Sequence, residues 1–381
     1  MTTKERLLAA LRCQAVDHVP MGFNFWHPLP GYPKTPWGNE RERLDFYRRR
    51  EWDARVEVHA SVTPLPEVQV EVRYETLNDR PILRQLWHTP AGTVEERLRI
   101  TDDWPRKDRS ADSPLGFFDD FRSSRYIEFP FKSASDLAVL PFLFPVDNPR
   151  DIDRMISEHR EAKALAEEFR VPLFSYHAAG MDWLVWFFPP EEMILRVRSE
   201  PAMIHSLLDH INAAYRKRLE VLLELGLDGV NRRGWYESTD FWSPRDFREF
   251  ARGPLAEDIR TAHAAGCVLI YVMDSGVVPL LGELGTLDFD CLYGVDPAIR
   301  PVDLRQVRKA LPGKALWGGI SAPLHLGRGA PAETERAVEQ AFESCGRTGF
   351  VLGPVQTIRP IGNTWPWGNI EACERAWRRL R

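Results

Sequence analysis

Apolar positions in this chain fall into short runs separated by longer segments in which they recur with helical spacing. The clearest example begins at Leu227-Asp228-Gly229-Val230-Asn231, a short apolar run broken by polar residues. Ser243-Pro244-Arg245-Asp246 then supplies a hydroxyl N-cap, a proline at the first helical position and a carboxylate at the third, which predicts a helix start. Phe247, Phe250, Leu255, Ile259, Ala262 and Ala265 extend that helix. Gly266 is placed to end it, and Cys267 to Tyr271 reads as a buried strand.

The same alternation recurs. Strands are predicted near Val19 to Phe25, Val171 to Tyr176, Phe289 to Tyr293, Ala315 to Gly318 and Phe350 to Gly353. Helices are predicted over Pro149 to Phe169, Pro201 to Leu225, Asp303 to Leu311 and Pro331 to Cys345. Repeated strand-helix units imply a parallel sheet, and a chain of 381 residues can close it into a (β/α)8 TIM barrel. The expected organisation is a single domain over 1–381 with a β-rich flap inserted at 67–136. There Gln69 to Tyr74 and Leu83 to Trp87 flank the turn Thr89-Pro90-Ala91-Gly92, and the charged stretch Thr101 to Ser113 follows.

Composition narrows the function. The net charge of -5, with both signs interspersed, leaves no basic face for nucleic acid. No apolar stretch reaches membrane-spanning length and the first residues form an amphipathic helix start, so a soluble, cytoplasmic protein is expected. Five cysteines without paired spacing argue against a disulfide framework and a zinc ribbon. Thirteen tryptophans line a pocket or fill the space between strands and helices. No glycine-rich phosphate loop follows a strand.

Several segments resemble the uroporphyrinogen decarboxylase superfamily, which includes corrinoid-dependent methyltransferases. They are Thr3 to Arg12 with Asp17-His18-Val19-Pro20, then Leu227 to Val230, Ser243 to Phe250 and Ala264-Ala265-Gly266, and finally Trp317-Gly318-Gly319-Ile320 with Asn369-Ile370. Two departures matter. Uroporphyrinogen decarboxylases carry an arginine-rich segment after the first strand, matched to a substrate with many carboxylates, and here Asn24 to Tyr32 contains no arginine. The zinc-dependent methyltransferases carry a His-x-Cys-Gly loop and a late cysteine. Here the loop reads Met273-Asp274-Ser275-Gly276, and the late position falls near Val355 or Gln356. The resemblance therefore implies a divergent member without the zinc-ligand motif. No metal site and no covalently bound cofactor are expected, and a relocated site joining Asp274 to His177 or His325 lacks ligand spacing.

In a barrel the chemistry sits at the C-terminal ends of the strands. Asp274 can act there as base, acid or cation stabiliser, or it caps the helix after Gly276. His177 is a candidate proton shuttle, and Tyr236 and Glu237 are candidate proton donors. Trp26, His27, Tyr176, Arg232, Trp235, Asp296 and Gln356 are the candidate substrate-binding residues. Arg232 is preferred over Arg233 because only one of two neighbours on a strand faces inward.

Three readings follow from the resemblance. The first is methyl transfer or demethylation of a small methylated or methoxylated compound, with a corrinoid on a partner protein as acceptor. The second is metal-free decarboxylation of a small acid or tetrapyrrole-related compound. The third is binding of a corrinoid, tetrapyrrole or aromatic ligand without catalysis. The hairpin Thr89-Pro90-Ala91-Gly92-Thr93 resembles the methyltransferase side and favours the first. Oligomeric state is left open.

Overall fold

The computed structural model describes residues 1–25, 35–101, 104, 120–300 and 302–381, without the side chains of 120 and 121. The chain folds as two compact units, one made of 1–59, 155–178 and 222–381, the other of 60–154 and 179–221.

The first unit is built on a parallel sheet of seven strands. Numbered along the chain with the four strands of the second unit, these are β1 (Val56–His59), β6 (Leu173–Ala178), β7 (Gly229–Arg233), β8 (Val268–Val272), β9 (Cys291–Tyr293), β10 (Ala315–Ser321) and β11 (Phe350–Val355), paired in that order. Six of them lie on or beside the predicted runs. The predicted strand at Val19 to Phe25 makes only isolated parallel bridges, Met21 to Leu352 and Phe25 to Ile358. Its backbone nevertheless touches both sheet edges. Leu352 N donates to Pro20 O at 2.9 Å on the β11 side, and Asp53 N donates to Met21 O at 2.6 Å on the chain leading into β1. The sheet is therefore curled, as a TIM-barrel-like fold requires.

Local chemistry explains the flanking helices. Thr2 and Glu5 form a capping box at the start of the Thr3–Leu11 helix, and Ser243 and Asp246 form another at Pro244. The second helix departs from expectation at Phe247–Ala251, a stretch with π-type hydrogen bonds that leads into the regular Arg252–Ala264 helix. Leu7, Ala10 and Leu11 of the opening helix pack with Phe174, Val268, Ile270, Cys291, Ala315 and Val351 of the strands. Burying each leucine, isoleucine, valine or phenylalanine among them contributes about 1.5–3 kcal/mol. One end of the sheet interior is thus apolar, and the polar side chains collect toward the C-terminal ends of the strands.

The second unit carries an antiparallel sheet of β2 (Gln69–Leu77), β3 (Arg80–Thr89), β4 (Gly92–Arg99) and β5 (Tyr126–Glu128). The predicted turn joins β3 to β4, where Thr89 pairs with Gly92 and its hydroxyl donates to Gly92 O at 2.8 Å. Val72, Leu83, Leu98, Trp104 and Tyr126 form its apolar cluster. Glu96 is buried in an ion pair with Arg122 and accepts from Trp87 Nε1 at 2.9 Å, so the charge is not stranded. Most of the charged stretch Thr101 to Ser113 lies outside the described residues.

Candidate active site

Side chains on a strand alternate between faces, and parallel register carries each face from one strand to the next. Glu57 pairs with Phe174, Phe174 with Gly229 and Gly229 with Val268, which identifies the interior row. Further along the strands the same face carries Tyr176, Asn231, Tyr293 and Trp317. The polar members form one network. Arg55 Nε donates to Glu57 Oε1 at 2.7 Å, and Asn231 Nδ2 donates to the same oxygen at 2.9 Å. Arg55 Nη2 donates to Asn24 Oδ1 at 3.1 Å, and Asn24 Nδ2 donates to the Tyr293 hydroxyl at 3.0 Å. Glu57 Oε2 receives no hydrogen bond among the described residues, and the side chain is 28% exposed, so this oxygen is open to a ligand.

Aromatic rings wall the network. The Arg55 guanidinium lies 4.8 Å from the centre of the Trp317 ring, and Tyr293 meets that ring edge-on at 5.4 Å. Tyr176 and Trp235 are 6.2 Å apart, and the Arg233 guanidinium lies 5.4 Å from the Trp235 ring.

The protonation states follow from burial and neighbouring charge. Burial pushes the Tyr293 phenol up to about 12, helped by Asp274 and Glu57 and opposed by Arg55, so the hydroxyl keeps its proton. Burial also acts to raise Glu57. Arg55 and His59 outweigh it, leaving Glu57 below the ordinary carboxylate range and therefore charged. Tyr293 accepts from Asn24, and its own proton is donated to Pro354 O over 3.5 Å. That bond is long, so the proton is poorly held and available to a ligand.

Asp274 joins this group. A Cβ placed on Gly294 would lie 2.5 Å from Asp274 Oδ1, and the Asp274 charge acts on Tyr293. The helical turn that follows, Val278–Leu280, has Val277 at its N-cap position, three residues beyond Asp274. The next loop residues are tied across to the loop after β7. Thr239 Oγ1 donates to Gly276 O at 2.7 Å, and Ser275 donates to Asp240. Gly276 sits at φ +63°, where a Cβ would fall 2.9 Å from Asp240 N.

The other expected residues divide. Tyr176 and Trp235 lie on the interior face with the network. His177, Arg232 and Glu237 lie on the opposite face, among the helices, and all three are fully buried. Arg232 Nε donates to Asp258 Oδ2 at 2.9 Å, Arg232 Nη2 to Glu237 Oε1 at 3.2 Å, and Tyr271 OH to Glu237 Oε2 at 2.6 Å. His177 Nε2 stands 3.6 Å from Asp258 Oδ2. Alternation thus places Arg233 rather than Arg232 on the Asn231 face.

Tyr236 packs edge-on against Phe241 at 5.5 Å, and its carbonyl accepts from Trp242 Nε1 at 2.6 Å. Asp296 is 1% exposed, and its Oδ1 accepts from Ala298 N at 2.8 Å and Ile299 N at 3.0 Å, shaping its own turn. Gln356 is exposed just after β11 and holds φ +68°, a sparsely populated conformation for a non-glycine residue. Trp26 and His27 lie outside the described residues.

Arg55, Glu57 and Trp317 were not anticipated as site residues. The available signal was the alternation Ala54-Arg55-Val56-Glu57-Val58-His59, a period-2 strand whose polar side faces the interior.

The residues around the β8 loop do not fit zinc. The loop offers one carboxylate and a hydroxyl but no thiolate or imidazole, and no group of three or more His, Cys, Asp or Glu among the described residues could hold a metal ion. His325, the other partner considered for Asp274, accepts from Ser321 N at 3.0 Å through Nδ1.

The chain matches the structure of a methyltransferase from Methanosarcina mazei with a TM-score of 0.62 and 18% identity, covering 100% of this chain and 99% of that one. At that identity the likeness concerns the fold. A B12-independent methionine synthase from Shewanella sp. W3-18-1, solved in complex with selenomethionine, aligns with a TM-score of 0.47 and 10% identity, over 95% of this chain and 98% of that one. No curated protein matches the chain. The model of the family described as uroporphyrinogen decarboxylase (URO-D) matches residues 126–360, which is more than half of the sequence. With its curled parallel sheet and its departures from the zinc-ligand motif, the chain belongs to the uroporphyrinogen decarboxylase family.

Proposed function

We propose that this protein is a (β/α)8-barrel enzyme that transfers or removes a methyl group from a small methylated or methoxylated compound bound at the C-terminal ends of the strands. The observation that carries this reading is the Tyr293 hydroxyl, protonated through the neutral pH range and without a strong acceptor for its proton, beside the charged Glu57 and the Trp317 wall. When a methyl group leaves an ether oxygen, the carbon–oxygen bond breaks, the methyl goes to a nucleophilic acceptor and the oxygen takes up a proton. Tyr293 supplies that proton. Glu57 and Asp274 stabilise positive charge developing on the methyl donor, and the tryptophan faces exclude water. A corrinoid on a partner protein serves as acceptor in this proposal, and no residue of this chain is assigned to it. No step is routed through zinc.

The decarboxylase reading draws support from a specific observation. The absence of an arginine after the first strand counted against it, yet Arg55 and Arg233 stand on the interior face. In that reading Arg55 holds the substrate carboxylate and Asp274 stabilises a cationic intermediate.

One experiment separates the two. A panel of small methoxylated and methylated compounds, 13C-labelled at the methyl carbon, is incubated with the protein and free cob(I)alamin, and matching 13C-carboxyl acids are incubated alone. Methylcobalamin carrying the label, lost in Tyr293→Phe, supports methyl transfer. Labelled carbon dioxide without methyl transfer replaces it with decarboxylation, and neither product leaves ligand binding alone.

A further inference from the structure

The open oxygen of Glu57 restricts what the interior face can hold. Arg55 Nε and Asn231 Nδ2 both donate to Oε1, at 2.7 Å and 2.9 Å, while the side chain remains 28% exposed, so the part of the carboxylate that a ligand meets is Oε2. The Arg55 ion pair keeps the group charged at pH 7, and a charged carboxylate accepts hydrogen bonds without donating any. The nearby donors are committed elsewhere. Arg55 Nη2 serves Asn24 Oδ1, and Asn24 Nδ2 serves the Tyr293 hydroxyl. His59 follows Glu57 on the same face of β1, in register with Tyr176. It is exposed, and its ring packs against that of Tyr176 at 5.5 Å rather than on Oε2.

Charge decides which kind of donor fits. Arg55 and Arg233 balance Glu57 and Asp274 on this face, and the sum is zero. An ammonium placed on Oε2 would add a positive charge beside the guanidinium already bound to the same carboxylate, and it would have to be desolvated to get there. A neutral O–H or N–H satisfies the oxygen without that cost. The two polar ends of the face are therefore different in kind. Tyr293 offers a weakly held proton, and Glu57 requires one.

We propose that the ligand of this face carries an uncharged hydrogen-bond donor, a hydroxyl or an N–H, which Glu57 Oε2 accepts, in addition to the methyl-bearing oxygen assigned to Tyr293. Glu57 then sets specificity as well as charge. Methyl compounds that lack a donor leave its oxygen bare and bind weakly. The inference rests on the reading of the interior face as the ligand site.

Isothermal titration calorimetry of the full chain at pH 7 with phenol, anisole and benzylamine tests it. The three share a ring, and phenol offers a neutral O–H, anisole an acceptor alone and benzylamine an ammonium. Phenol should bind about tenfold or more tightly than anisole, because a hydrogen bond to a charged acceptor is made in one case and lost in the other. Benzylamine should bind more weakly than phenol. In Glu57→Gln, Arg55 and Asn231 donate to the amide oxygen, so the amide NH2 takes the place of Oε2 and turns the open acceptor into a donor. Anisole should then bind at least as tightly as phenol. If Glu57→Gln does not fold, Glu57→Asp, which keeps the charge and withdraws the oxygen, decides the matter by weakening phenol about tenfold. Equal affinity for phenol and anisole, a phenol preference unchanged in the variant, or no binding of phenol overturns the inference. Benzylamine binding more tightly than phenol overturns the uncharged class. These readouts need no turnover. Labelled methyl transfer from compounds without any O–H or N–H would sink this inference and leave the methyl-transfer reading standing, whereas a phenol preference without methyl transfer would do the reverse.

Discussion

The guanidinium of Arg55 rests over the face of Trp317, 4.8 Å from the ring centre, although 262 positions of sequence separate the two residues. Above the indole, Arg55 still hydrogen-bonds through its nitrogens. It spends two of its donors on Glu57 and Asn24, which orders the interior network on which the functional proposal rests.

Tyr293→Phe removes the proposed proton donor while keeping the ring against Trp317. Turnover on the substrate found by the labelling experiment should fall about 10²- to 10⁴-fold. Unfolding free energy should change by no more than about 1.5 kcal/mol, since one neutral hydrogen bond is lost. Steady-state kinetics alongside urea denaturation checks this, and a variant as active as the parent would remove Tyr293 from the chemistry.

The pH dependence of Tyr293 has a defined sign. Its folded pKa of about 12 lies above the unfolded value of about 10. Its contribution to stability is therefore whole below pH 10 and is lost as pH rises from 10 to 12. Ultraviolet titration of phenolate formation, compared between the parent and Tyr293→Phe, should show the missing tyrosine in the late-titrating fraction above the ordinary phenol range, which it shares with Tyr47, also held at about 12 by burial. Glu57 behaves oppositely. Its folded pKa is lowered, so its stabilisation is present above the unfolded carboxylate range and fades as the solution is acidified through it.

Asp274→Asn keeps shape and removes charge beside Tyr293. Turnover should drop by about 10²-fold with ligand affinity nearly unchanged, because the charge acts on the reacting state. An equal loss of binding and turnover, measured by calorimetry and kinetics, would assign Asp274 to substrate binding alone.

Arg232→Met tests the buried cluster behind the strands. Asp258 and Glu237 would lose their shared cation while remaining fully enclosed. The cost should be about 3–5 kcal/mol. Chemical denaturation reads this directly, and a loss under about 1 kcal/mol would mean that the cluster rearranges to find water.

Gly294→Ala should also destabilise. The residue holds φ +107°, and a new Cβ would meet Asp274 Oδ1 at 2.5 Å. Strain of about 1–3 kcal/mol is expected, together with displacement of the Asp274 carboxylate. A melting temperature equal to that of the parent would show that the β9 loop relaxes freely.

Much of the scaffold was legible from local patterns. The capped start at Ser243, the terminating Gly266 and the run into Tyr271 each encode a boundary through backbone hydrogen bonding, which depends on near neighbours. Strand β1 was not legible, because Arg55, Glu57 and His59 give it the alternation of a half-solvated strand rather than an apolar run. Arg232 and Arg233 were distinguishable as opposites, but which of them faces inward depends on which side of the sheet the helices cover.

Local sequence specifies the succession of strands and helices, the departure from the zinc-ligand loop and the carboxylate of Asp274 just after β8. The gathering of Asn24, Arg55, Glu57, Asn231, Tyr293 and Trp317 on one interior face, with His177, Arg232 and Glu237 on the other, emerges from the folded sheet. Helix caps and strand runs are set by contacts a few residues apart, whereas the bond from Asn24 to Tyr293 spans 269 positions and forms only when the curled sheet fixes the register of every strand between them.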